Sequence, residues 1–288
     1  MTRNDAHASE TTQPTSRPQE HPPARKKVLL LTPQFPYPPH QGTTMRNYNL
    51  IAELAQRHDV HLLSFGRSDE GVDTPLHRLC KSVQVVPAPR RRSIRQRLGG
   101  LLFSRLPDMA RRLPSAQFRS LLDATLERED PDVVEVEGIE LAEYLFQVAA
   151  HRGAKKRPLL VFDDHNAEYV LQQRAFETDA RSGEPRRWAG AAYSFIQWRR
   201  LRTYERRACT VADQVVAVSE TDSEALRDLT PGLVPSVVPN GVDMKLYTEP
   251  ISPHGGFRAK ANGASPGPPD LGSDLIFTGK MDFRPNVD

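Results

Sequence analysis

Short apolar runs recur along the chain, each closed by polar or glycine-rich residues and followed by a stretch of helical period. Residues 27–32 (KVLLLT) are apolar at nearly every position, as a strand buried on both faces requires. A proline-rich loop ends at Gly42. Thr43 or Thr44 then caps a helix through Arg57, with Met45, Tyr48, Ile51, Ala52, Leu54 and Ala55 as its apolar stripe. Further strands are predicted over 59–65, 83–86, 133–136, 159–162, 214–218 and 237–238. Helices are expected over 139–150, over 185–209 and from Ser219 onward. Strand and helix alternate without an internal repeat. That pattern predicts an α/β fold, a Rossmann-like doubly wound parallel sheet with right-handed crossovers.

Two segments fall outside this rhythm. Residues 1–24 have almost no large apolar side chains and are expected to form a disordered tail. Residues 252–272, rich in Gly, Pro, Ser and Ala, read as a linker, which leaves 25–251 as one domain. Beyond the linker, DLIFT (274–278) predicts the first strand of a second domain, 273–288, that the chain cuts short. No stretch approaches the roughly 18 consecutive apolar residues of a membrane span. The N-terminus has no apolar signal core, so a cytoplasmic location is expected. Cys80 and Cys209 stand far apart without metal-like spacing and read as buried thiols in a reducing compartment. A net charge of +3 is too small to argue for nucleic acid.

In open α/β sheets, ligands bind beyond the carboxyl ends of the strands. Those ends are predicted at 33–46, 136–140, 163–168, 218–220 and 279–286. Gly42 at a helix entrance lets backbone approach a ligand, and a helix N-terminus favours phosphate. Neither a G-x-G-x-x-G fingerprint nor a G-x-x-x-x-G-K-[ST] loop occurs there, which weakens dehydrogenase and P-loop readings. The run from Asp163 to Glu168 sets polar residues directly after a buried strand. Asp163 or Asp164 can orient His165, whose other nitrogen then faces a substrate hydroxyl. Alternatively, Asp164 and Asn166 cap the next helix. No second His or Cys falls at i+3 or i+4 of His165, so no metal is expected.

Charge is distributed unevenly. Arginine far outnumbers lysine, a bias that a GC-rich genome also produces. Residues 90–112 interleave their arginines with Ile94, Leu98, Leu101, Leu102, Phe103 and Leu106, the composition of a segment lying on an anionic membrane. A solvated basic face is the competing explanation, and Gly99-Gly100 weakens a helix there. A second arginine-rich stretch, 186–207, contains Trp188 and Trp198. The helical spacing of Tyr193, Ile196, Leu201 and Tyr204 favours core packing there over nucleic-acid binding.

Six blocks in order carry a resemblance: 36–64, PDVVEVEG (131–138), VFDDHNAEYVLQQR (161–174), 204–220, VVPNGVDMKLY (237–247) and LIFTGKMDFRPNVD (275–288). Together they resemble the N-terminal half of retaining GT-B glycosyltransferases of the family 4 type, similar to sugar transferases of bacterial exopolysaccharide clusters. The resemblance implies transfer of a hexose from a nucleotide-sugar to a lipid-linked or polysaccharide acceptor, with no cofactor beyond that co-substrate and no metal. It implies that His165 approaches the donor sugar as the catalytic residue. Gly42, Thr43 and Arg46 would lie near the phosphates or the acceptor. Glu137, Asp164 and Ser219 would face the cleft, and Lys280 stands where the family places an Arg of its diphosphate clamp. The family's later clamp Lys is Asn286 here, with Arg284 as a possible substitute. Its paired glutamates and most of its nucleotide pocket belong to a second domain, so the chain alone is expected to be inactive. Peripheral attachment to the inner membrane face through 90–112 is a further expectation. Two alternatives stand: a non-catalytic docking module, and a nucleotide-sugar epimerase-like enzyme on the same scaffold.

Overall fold

A computed structural model describes residues 24–241, apart from 41, 68, 69, 71, 72, 152–155 and 182–184. All but the last residue of the predicted tail, the linker, the opening strand of a second domain and Lys280 lie outside the described residues.

The element order is β1 (Lys27–Thr32), α1 (Gly42–Arg57), β2 (Asp59–Gly66), α2 (Leu76–Leu79), β3 (Ser82–Pro87), α3 (Ile94–Phe103) and α4 (Ala116–Glu129). There follow β4 (Val133–Glu137), α5 (Ala142–Ala150), β5 (Leu159–Asp164), α6 (Glu168–Arg181), α7 (Pro185–Val211), β6 (Gln214–Ala217), α8 (Glu220–Leu229) and β7 (Ser236–Val237). The strands form one seven-stranded sheet in the order β3-β2-β1-β4-β5-β6-β7, and every pairing is parallel. This is the doubly wound arrangement expected from the alternating runs. Its direction of winding reverses between β1 and β4, so a crevice opens beyond their carboxyl ends.

Alternation along each strand divides the core in two. Leu29 and Leu31 join Leu63, Val134, Val136 and Phe162 beneath α4, α5, α7 and α8. Leu30 turns the other way, against Ile51 of α1 and Leu76 of α2. The central strand β1 is therefore apolar on both faces, which is why it reads as an unbroken run. Both cysteines are buried, and burial pushes the thiols up, Cys80 to about 12, so neither is poised as a nucleophile. No helix among the described residues is long and apolar enough to cross a membrane.

Several expectations are corrected. Helix α1 begins at Gly42, ahead of either threonine, and its fully buried line is Thr44, Asn47 and Ile51, with Met45 turned outward. The rest of the predicted stripe does face the core: Ile51 is fully buried, and Tyr48, Leu54 and Ala55 pack against the cluster around Leu30 and Leu62. Helix α4 is an addition to the predicted set, opened by Ser115, whose side chain accepts from the Phe118 N–H. The glycine pair does not interrupt α3. Gly100 sits where the Arg111 guanidinium packs, 1.7 Å from the position of any Cβ. The strand predicted at 159–162 continues through Asp164, with consequences for the site.

Candidate functional site at the carboxyl ends of β4 and β5

In β4 the sequence V-V-E-V-E places Val134 and Val136 on one face, so Glu135 and Glu137 share the other. Pairing Glu137 with Asp163 in register sets that aspartate on the same face. Three carboxyls are thus gathered below α1, all buried. One cation answers them. Arg46 donates to Asp163 Oδ2 from Nη2 (2.6 Å) and Nε (3.2 Å), and from Nη1 to the Val238 carbonyl (2.9 Å) and Asn240 Oδ1 (3.3 Å). Burial, then the charges of Glu137 and Asp163, pushes the Glu135 carboxyl well above its ordinary value, which favours its neutral form.

His165 follows directly after β5. Its Nε2 lies 2.5 Å from Glu137 Oε2, and Glu137 is fully buried beneath it. The residue that orients His165 is therefore Glu137, from the neighbouring strand, and neither Asp163 nor Asp164. The expectation fails because β5 runs two residues further than predicted. Asp163 then points to Arg46 on one face, and Asp164 points to Glu205 of α7 on the other. For His165, burial lowers the imidazole pKa, but the hydrogen bond and charge of Glu137 and the charge of Asp163 outweigh it. The net shift is upward. Burial raises the Glu137 carboxyl, and the bond from His165 offsets part of that rise.

Gly138 completes the turn under the ring. Its φ of +80° suits glycine, and a Cβ there would meet Glu140 Oε2 at 3.2 Å and His165 Nδ1 at 4.0 Å. The sequence signal was available, since a glycine directly follows a strand that ends in glutamate. Glu137, Asp163 and His165 also bring one ligand-type atom each within 4.8 Å of one another. A search for i+3 or i+4 spacing along the chain does not find this grouping, because adjacent strands assemble it.

The cap of α6 is corrected as well. Glu205 Oε1 and Oε2 accept the Glu168 and Tyr169 N–H groups (2.8 Å each), and Asp222 Oδ1 accepts that of Ala167 (3.0 Å). The orphan donors of this helix start are met from α7 and α8 rather than by Asp164 or Asn166. Ser219 caps α8, accepting from the Asp222 N–H at 3.1 Å and donating to its carboxylate at 2.5 Å.

A cavity of about 770 Å3 opens above this cluster. Thr43, Asp164, His165 and Gly138 border it, whereas Gly42, Arg46, Glu137 and Ser219 do not. Arg46 and Glu137 lie behind the wall as supports, and a Cβ on Gly42 would meet nothing. The opposite wall was not among the predicted ligand-bearing ends: it comes from the connection after β3, including Arg91, Arg92, Arg97, Asp108 and Arg112.

No curated protein matches this chain. Among solved structures it is similar to sucrose-phosphate synthase from Thermosynechococcus elongatus, at 16% identity over 77% of this chain and 50% of that one, with a TM-score of 0.51. It also matches Phytolacca americana UGT2, complexed with UDP-2-fluoro-glucose and pterostilbene, at 13% identity, 75% and 54% coverage and a TM-score of 0.42. A Polygonum tinctorium UDP-glucosyltransferase capable of glucosylating indoxyl matches at 14% identity, 76% and 53% coverage and a TM-score of 0.41. The chain spans about half the length of these structures. The likeness to the synthase concerns the fold, and it agrees with the doubly wound parallel sheet. A family model described as Glycosyltransferase Family 4 matches residues 40–246. That match takes in α1, both ends of the His165 cluster and the Arg46 contacts at Val238 and Asn240, and the chain belongs to glycosyltransferase family 4.

Proposed function

We propose that this domain forms the acceptor side of a retaining glycosyltransferase. The enzyme moves a hexose from a nucleotide-sugar to a lipid-linked or polysaccharide acceptor in exopolysaccharide or cell-envelope glycan synthesis. The observation that carries the reading is His165, fixed by buried Glu137 at the border of a cavity beside the reversal point of the sheet. With Nε2 held by Glu137, Nδ1 is the nitrogen left to meet a sugar hydroxyl. The role is positioning and electrostatic stabilisation, with no covalent step assigned to the histidine. Thr43 borders the same cavity and serves the acceptor or the phosphates. Gly42 leaves room for a ligand at the start of α1, and Arg46 acts through Asp163 as a positioning residue. Asp164 serves through its place on the cavity border, Ser219 through the α8 cap, and Lys280 as a phosphate contact. The nucleotide-sugar is a co-substrate, and no further cofactor or metal is invoked.

A second observation favours an acceptor on a membrane. Ile94, Leu98, Leu102 and Phe103 of α3 and the following Leu106 are all exposed, Phe103 at 90%. Exposed Arg90, Arg91, Arg95 and Arg105 surround them, which matches an anionic lipid surface such as the cytoplasmic face of a membrane.

The test is transfer of label from UDP- and GDP-hexoses to membrane lipids and polysaccharide in extracts expressing the gene. Transfer that falls more than about tenfold in His165→Ala, with unchanged circular dichroism, supports the reading. Transfer indifferent to that substitution overturns the role of His165, and an inverted product overturns retention. With this domain joined to a donor-binding domain, the absence of transfer from any donor overturns the transferase reading in favour of the docking module.

A further inference from the structure

The cavity has a second wall that the sugar-transfer reading does not use. Arg91, Arg92, Arg97 and Arg112 all line it. Among the described residues, two acids that border the cavity pair with them. Asp108 takes Arg92 Nη2 at 2.8 Å and Arg97 Nε at 3.4 Å, and Glu140 takes Arg112 Nη1 at 3.0 Å. Arg91 has no carboxylate partner among the described residues. Four guanidinium groups against two carboxylates leave two positive charges uncompensated.

The wall is built rather than loosely arranged. Asp108 is held through its own N–H by Gln197 Oε1 (2.7 Å) and accepts Arg92 at its carbonyl as well (2.8 Å). Arg200 donates to the carbonyl of Leu101 at 2.7 Å, anchoring the end of α3. Arg97 also donates to the Tyr193 hydroxyl (3.1 Å). In this frame Arg92 Nη1 is buried and has no acceptor among the described residues. A buried guanidinium donor without a partner is costly, and an oxyanion would relieve it. Two other acids border the cavity, but burial acts first on both. Glu168 is pushed up to about 7 and Asp164 well above the carboxylate range, so neither opposes an anion with a full charge.

We infer that this arginine wall binds a phosphate or pyrophosphate group, and that the group belongs to the acceptor, next to the sugar that receives the hexose. The inference rests on the transferase reading for its source, whereas the anion site stands on the wall alone. Guanidinium forks match tetrahedral phosphate oxygens in pairs, and a pyrophosphate carries enough charge to balance the wall. The exposed apolar side of α3 leads directly from the same segment, so a lipid tail attached to that phosphate has a surface to follow.

The shared chemistry, a diphosphate, can also come from the nucleotide-sugar, and the experiment separates the two sources. The 288-residue chain is titrated by calorimetry with inorganic pyrophosphate, farnesyl pyrophosphate and UDP. The wild-type chain is compared with the Arg91→Gln/Arg112→Gln double variant and with Arg57→Gln, an exposed control at the end of α1 that does not line the cavity. The expected result is pyrophosphate binding that weakens by at least about tenfold in the double variant and is unchanged in the control. Farnesyl pyrophosphate should bind more tightly than either pyrophosphate or UDP. No pyrophosphate binding at millimolar concentration, or binding that survives the double substitution, overturns the anion site. UDP binding as tight as the farnesyl compound, and lost in the double variant, reassigns the wall to the donor and overturns the acceptor assignment. None of these readouts depends on sugar transfer, so failure here and failure of the transferase reading are distinct.

Discussion

The two arginine-rich stretches of the chain, 90–112 and 186–207, have similar compositions and opposite fates. In α7, Leu201, Tyr204, Ala208 and Cys209 are buried in the main core, and Trp198 stacks parallel to Phe176. In α3 the single buried residue is Gly100, while Ile94, Leu98, Leu102 and Phe103 face outward. The difference lies in position rather than residue type. Helix α7 lies over the face of the sheet with α5 and α8, so its apolar residues have a layer to enter. Helix α3 follows the edge strand β3 and stands at the cavity rim, where no further layer among the described residues covers it. Arginine in α7 flanks a core; in α3 and its surroundings it lines an opening.

The comparison makes predictions that differ in size. The largest concerns the buried side. Leu201→Asp inserts a charge into the main core and should cost about 4 kcal/mol or more, enough to leave the domain largely unfolded in a denaturant titration. A near-native midpoint would mean that α7 does not contribute to the core as described. Next is Glu205→Ala, which leaves two helix-start N–H groups without their acceptors and should cost roughly 2 kcal/mol. Glu205→Gln, which keeps one acceptor, should lose less.

A third prediction uses the acids behind these elements. Burial pushes Glu168 and Glu205 up to about 7, and raises Asp164, Glu135 and Glu137. In each case the folded value exceeds the unfolded one, so the native state holds more protons. For Glu168 and Glu205 the contributed stability is complete below about pH 4.5 and is lost as pH rises through about 7, and the other three act in the same sense. His165, also raised, contributes in the same sense: fully below about 6.5, and lost as pH passes its folded value. Melting should therefore occur lower at about pH 8.5 than at about pH 5.5, by roughly 5 °C. A flat or rising profile would contradict the buried carboxyl cluster.

The smallest stability effect belongs to α3. Leu102→Ser with Phe103→Ser should change unfolding free energy by no more than about 0.5 kcal/mol. Sedimentation with anionic vesicles should nevertheless fall severalfold, and wild-type binding should weaken with salt. A large loss of stability would show that the α3 face is covered by something other than lipid.

Much of the frame was legible in the order of residues. Continuous apolar runs mark strands buried on both faces, and β1 to β5 lie where such runs predict, because apolar pattern and sheet burial have the same physical cause. His165 was legible too, as a titratable residue placed directly after a buried strand. Its partner was not. A strand two residues longer than its apolar run puts Asp163 and Asp164 on opposite faces of the sheet, and no local pattern reports that Glu137 lies in register beside Asp163. The α6 cap was hidden for the same reason, since Glu205 and Asp222 reach it from 37 and 55 residues further along the chain.

The chain's composition and periodicity specified a parallel α/β sheet, the strand ends after β1, β4 and β5 that border the cavity, and a histidine at one of them. Those features follow from local burial and from the chemistry of single residues. Which carboxylate holds the histidine, where the arginines of 90–112 point, and which of two similar basic segments enters the core depended on the packed molecule. Each is a relation between residues far apart in sequence, set by strand register and by the layer above each helix. Such relations exist only once the sheet has formed.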